Sequence, residues 1–151
     1  MKRSKPLQAA LMATPEEIEA QFYEALHQGD IDKLMAVWSD DDDIACAHPG
    51  GARVHGHAAA RSVFEMMFAQ GGVAAQPLQV RRTACGGSVA IHHVLQSVAV
   101  KTANGPDTAC MLVTNVYVKT PRGWRLMVHH ASNGSADELE APAERGAALL
   151  H

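Results

Sequence analysis

"TNVYVKTPRGWRLMVHHAS", residues 114–132, decides how the chain is read. Two runs rich in β-branched and aromatic residues flank Pro121-Arg122-Gly123, a turn signal, so the stretch predicts an antiparallel hairpin. Upstream the same pattern repeats. Residues 78–85, 88–101, 109–119 and 124–132 are β-like, and Gly86-Gly87, Asn104-Gly105-Pro106 and the 121–123 turn separate them. Apolar residues fall on both parities of 88–100 and 109–118. A sheet wet on one face alternates cleanly, so this predicts long strands covered on both faces.

The first half of the chain is different. Thr14-Pro15-Glu16-Glu17 is a helix start, with Thr14 as cap, Pro15 at the first helical position and Glu17 where a capping box needs a carboxylate. Ile18, Phe22 and Leu26 follow at spacing four. Gln28-Gly29-Asp30 ends this helix and caps a second, with Ile31, Leu34, Met35 and Trp38 as its apolar stripe. Asp40 to Asp43 form a solvated turn, since the spaced oxygens and glycine of a calcium loop are missing. Residues 44–48 read as a short strand stopped by Pro49-Gly50-Gly51. Residues 56–70 form a third helix, with Ala60, Val63, Phe64, Met67 and Phe68 on one side. Helices first and a meander after predict an α+β fold, in which a strongly curved, mixed or antiparallel sheet cups three N-terminal helices into a cone. The divisions expected are a leader at 1–13, the cone domain at 14–133 and a tail at 134–151.

Composition narrows the function classes. A chain of 151 residues, 47% hydrophobic and 19% charged, is one folded domain rather than a disordered chain. A net charge of -3 with 5% aromatics argues against nucleic acid or an anionic membrane as partner. No apolar run reaches the roughly 18 residues of a membrane span. The opening MKRSKPLQAALMA mimics a signal peptide, but Pro6 and Gln8 break its short apolar part. Cys46, Cys85 and Cys110 are odd in number and far apart, which fits a reducing cytoplasm better than a disulfide framework.

The stretches "FYEALHQGDIDKLMAVWSDDDDIACAHPGG" (22–51), "VHGHAAARSVFEMMF" (54–68) and the opening hairpin together resemble the nuclear transport factor 2 superfamily, in its polyketide-cyclase-like and ketosteroid-isomerase-like branch. The hairpin is also similar to the association domain of calcium/calmodulin-dependent kinase II. The resemblance covers residues 14–133. It implies a pocket at the wide end of a cone and a homodimer packed through the outer sheet face. It fixes no function, because this fold hosts enzymes, carriers and oligomerisation modules.

Set against the isomerase pattern, all three catalytic positions differ. The base lies in a step that is His48-Pro49 here, the acid falls on Asn115, and the tyrosine falls on Phe22 with Tyr23 beside it. Isomerisation by that carboxylate mechanism is therefore not expected. His48 can accept a proton near neutral pH, and Asn115 can donate to a carbonyl or oxyanion. The plainer reading is that the two satisfy each other, or water, in a polar cavity. Simple alternation along 124–132 places Leu126, Val128 and His130 on one face and His129 on the other. In the resembling family the histidine two before the serine recurs, so His130 is expected to face inward and join His48 and Asn115. Parity does not choose between His92 and His93. Phe22, Tyr23, Trp38, Phe64, Met67, His92, His93 and Tyr117 are the expected pocket lining. No cofactor is implied. Nine histidines raise a metal, but no ligand spacing supports one. The functions in view are binding of a small, mostly apolar ligand bearing a polar group, acid–base isomerisation, dehydration or cyclisation through His48, and oligomerisation.

Overall fold

The structure, a computed structural model, describes residues 13–135. Helix α1 spans Pro15–Gln28, α2 Ile31–Met35 and α3 His57–Met67, the last followed by a 3-10 turn at Phe68–Gln70. The strands are β1 (Ala45–Ala47), β2 (Val54–His55), β3 (Ala75–Cys85), β4 (Val89–Thr102), β5 (Gly105–Thr120) and β6 (Gly123–Asn133). They form one sheet in the order β2-β1-β6-β5-β4-β3. Pairing is antiparallel except between β1 and β6, so the α+β architecture holds and the sheet is mixed. The predicted leader and tail lie outside the described residues, except for Ala13, Gly134 and Ser135. Ala13 is no free end: it bridges Gly123 and is buried.

The N-terminus of α1 forms as its sequence dictates. The Thr14 hydroxyl accepts from the Glu17 amide at 3.2 Å, and the Glu17 carboxylate accepts from the Thr14 amide at 2.8 Å. Two otherwise orphaned amides are satisfied reciprocally. Thr14→Ala is expected to cost about 1 kcal/mol, read as a lower urea midpoint with unchanged slope. Asp30 caps α2 through the Lys33 amide at 3.0 Å. Ile18, Phe22 and Leu26 of α1, Leu34 of α2 and Phe64 of α3 pack with Tyr117 and Leu126 of the sheet to form the core.

Two irregularities position the site. Between β5 and β6, Val116 pairs with Val128 but Tyr117 pairs with Leu126, so Met127 is an extra, bulged residue. Between β3 and β4 a second bulge falls at Leu78, in an edge strand that is mostly exposed. Strand β2 was not expected. At two residues it is too short to carry an alternation signal, and it forms only because Ala45 and Cys46 pair with His55 and Val54.

Candidate functional site

Cross-strand partners share a face of a sheet, so the register places side chains in rows. On the face toward the helices, one row runs Arg82, His92, Asn115, His129, Cys46 from β3 to β1. It lies between the apolar row Val80, Val94, Val113, Ala131 and the row Ala84, Ala90, Tyr117, Leu126. A band of polar side chains thus crosses the concave face, with apolar residues on both sides.

This corrects the expectation for His130. His129 is 3% exposed and faces the helices, whereas His130 is exposed on the outer face. The bulge at Met127 is the cause. Leu126 and His129 are three apart, yet they pair with Tyr117 and Asn115, which are two apart, so strict alternation fails across the extra residue. His93 is corrected likewise. Its partner Thr114 is on the outer face, and His93 is exposed there, while His92 is 1% exposed and inward.

At the β6 end of the row, His129 Nδ1 lies 2.7 Å from Asn115 Oδ1. An amide oxygen only accepts, so Nδ1 carries the proton, and in the neutral ring Nε2 holds the lone pair. The His48 ring packs 5.1 Å from His129 and edge-on to Phe64 at 5.3 Å, and Phe22 lies 5.0 Å from His129. His48 Nδ1 is 3.7 Å from the Cys46 thiol. Burial, with His130 nearby, holds His48 down at about 4. Burial, then His48 and His130, hold His129 at about 3. Both are neutral at pH 7, because an apolar surround disfavours the charged ring. Burial pushes the Cys46 thiol up to about 12, so it is no nucleophile.

A second cluster sits toward β3. Buried Glu19 accepts from His92 Nδ1 at 3.0 Å and from Arg82 at 3.3 Å. Glu16 approaches both Arg82 and His92, at 3.7 and 3.6 Å. The Tyr23 hydroxyl donates to Gln96 at 2.7 Å, and the Tyr117 ring lies 4.7 Å from His92. Burial first, then the Glu19 charge, raise both tyrosines above the usual phenol value. Trp38 and Met67 pack into the helix–sheet core. The expected residues therefore separate into His48 with Asn115, Phe22 and Phe64, and Tyr23 with His92 and Tyr117. His129, Glu19, Arg82 and Gln96 were missed. Glu19 and His92 are 73 residues apart, and no local pattern joins them. Among the described residues, no three His, Cys, Asp or Glu side chains are grouped to hold a metal, and no helix is long and apolar enough to cross a membrane.

Comparison with known proteins agrees with this architecture. The SnoaL-like domain profile matches residues 16–136. The chain belongs to the SnoaL-like domain family. Among solved structures, a candidate calcium/calmodulin-dependent protein kinase type II association domain from Thiobacillus denitrificans is 33% identical, with a TM-score of 0.70, over 84% of this chain and 100% of that one. A nuclear transport factor 2-like protein with a cystatin-like fold from Novosphingobium aromaticivorans is 21% identical, with a TM-score of 0.65, over 80% and 81% of the two chains. The S. rosetta hub of the same kinase is 23% identical, with a TM-score of 0.64, over 81% and 98%. No functionally curated protein matches the chain. Within this SnoaL-like domain the nuclear transport factor 2-like fold is thus established, and the activity is left to the site.

Proposed function

We propose that this SnoaL-like domain binds a small, mostly apolar ligand on the concave face, with the ligand's carbonyl, carboxylate or hydroxyl at His48, His129 and Asn115, and that it works as a homodimer joined through the outer sheet face. The observation that carries the ligand reading is two neutral imidazoles and an amide set among Phe22 and Phe64. Such a wall favours an apolar body with one or two polar atoms. Apolar Ile91, Leu95, Leu112, Val116 and Val128 on the outer face favour self-association, as do relatives described as association domains. Free Cys46 and Cys85 fit a cytoplasmic location.

Ligand-observed NMR with a panel of small ketones, alcohols and carboxylic acids tests the binding reading. At least one class is expected to bind wild type and to bind His129→Phe at least tenfold more weakly, with the fold retained by circular dichroism. Binders unaffected by that substitution would move the site elsewhere.

A second reading, acid–base isomerisation, dehydration or cyclisation, is favoured by the Asn115–His129 bond, which orients one imidazole beside another. There His48 is the base, and turnover is expected to stay flat from pH 8 to about 5, because the folded His48 remains unprotonated to about 4. An ordinary histidine would lose activity below about 6.5. Unchanged turnover in His48→Ala would remove this reading.

A further inference from the structure

Behind the inward polar row lies a second one. On the outer face the register aligns Arg81 of β3, His93 of β4, Thr114 of β5 and His130 of β6. His93 and His130 flank Thr114 on alternate strands, about 10 Å apart at two strand spacings. His93 Nδ1 is 3.5 Å from the Thr114 hydroxyl, and both imidazoles are exposed in the single chain. On the central strands the surround is apolar, with Ile91, Val116 and Val128 on one side and Leu95 and Leu112 on the other, and the polar Thr83, Gln79 and Ser132 end these rows.

We propose that His93 and His130 make self-association through this face proton-sensitive, so that mild acid separates two copies of the chain. The inference rests on the self-association reading above and goes beyond it by assigning a regulator.

Histidine is the side chain that ordinarily gains its charge between pH 5 and 8. The groups facing the pair are Arg81 across from His93, neutral Thr114 between them and Ala47 of β1 beside His130, with exposed His55 of β2 on the neighbouring row across Ala45. His48 also lies within electrostatic range of His130 and is neutral at these pH values. Among the described residues of β3 to β6, the outward positions carry no aspartate or glutamate. A two-fold interface apposes the same patch twice, so a protonated imidazole there meets a second positive patch and, among the described residues of β3 to β6, no carboxylate at an outward position. With both rings unprotonated, Arg81 is the one charged member of the row, and the apolar surround can close over the pair. In acid, up to four new positive charges enter a surface whose described outward positions on β3 to β6 hold no carboxylate, and desolvating them opposes association.

Sedimentation velocity of the full chain at pH 8.0 and pH 6.0, with wild type and His93→Asn/His130→Gln, tests this. The replacements keep hydrogen-bonding capacity and do not titrate. Wild type is expected to be a dimer at pH 8.0, with its dissociation constant at least tenfold higher at pH 6.0. The double variant is expected to change less than twofold. Far-UV circular dichroism at both pH values separates dissociation from unfolding. A wild-type dimer indifferent to pH overturns the inference and leaves self-association standing, as does a double variant with undiminished pH dependence. A monomer at both pH values overturns this inference together with the reading on which it rests. A larger assembly that comes apart in acid only when both histidines are present supports it.

Discussion

Gly72→Ala is expected to destabilise the domain on the order of 4 kcal/mol, a large part of the total for a chain of this size, and to leave little folded protein at 37 °C. After α3 the chain passes directly over the C-terminal end of α1. The Val73 amide donates to the Leu26 carbonyl at 2.7 Å, and His27 Nε2 lies 2.6 Å from the Ala75 carbonyl oxygen. A Cβ on Gly72 would lie 2.7 Å from the His27 carbonyl carbon and closer still to its oxygen. Those atoms are helix backbone, so neither can turn aside as a side chain would. Relief requires moving α1 away from the start of β3, which opens the core around Leu26. Gly50→Ala is the contrast. Gly50 has φ 78 but nothing within 4 Å of the added methyl, so only the left-handed penalty of about 1 kcal/mol applies. Urea unfolding of both variants checks the ranking. Equal losses would mean the close approach at Gly72 relaxes without cost.

Stability is expected to fall steeply in acid, for a reason located at His48 and His129. In the folded chain these titrate at about 4 and about 3, against about 6.5 when unfolded. Between those values the unfolded chain binds more protons than the folded one, so lowering pH favours unfolding. The contribution is complete above about pH 6.5 and drains away as pH falls toward 4, at up to about 1.4 kcal/mol per pH unit for each ring. A loss on the order of 3 kcal/mol between pH 7 and pH 5 is expected, measured as the drop in urea-unfolding free energy. His129→Gln can still donate to Asn115 Oδ1 but cannot titrate. It is expected to halve the slope. A slope unchanged in that variant would place the acid sensitivity in other groups.

Local rules carried the fold a long way. The capping box at Thr14 and Glu17, the Asp30 cap and the four long strands could be read because each depends on residues within a few positions of one another. The bulge at Met127 depends on how two strands settle together. It left no mark in the sequence of β6, and that one residue exchanged the roles of His129 and His130. The choice between His92 and His93 was closed to parity for the same kind of reason, since only pairing with Asn115 or Thr114 decides it. The Glu19–His92–Arg82 cluster needs α1, β3 and β4 already in place. Residues in registered rows can be assigned only once the register is known, and the candidate site lies in such a row.

Among the described residues the sheet does not close on itself, and the outer row of backbone groups of edge strand β3 pairs with no further strand. An open row of that kind can template strands from other molecules, the first step toward fibres. Here Pro77 withholds an amide, the bulge at Leu78 spoils the repeat, and Arg81 and Arg82 set positive charge along the margin. The same strand that anchors Glu19 through Arg82 thereby offers a poor template for further strands at the open margin of the sheet.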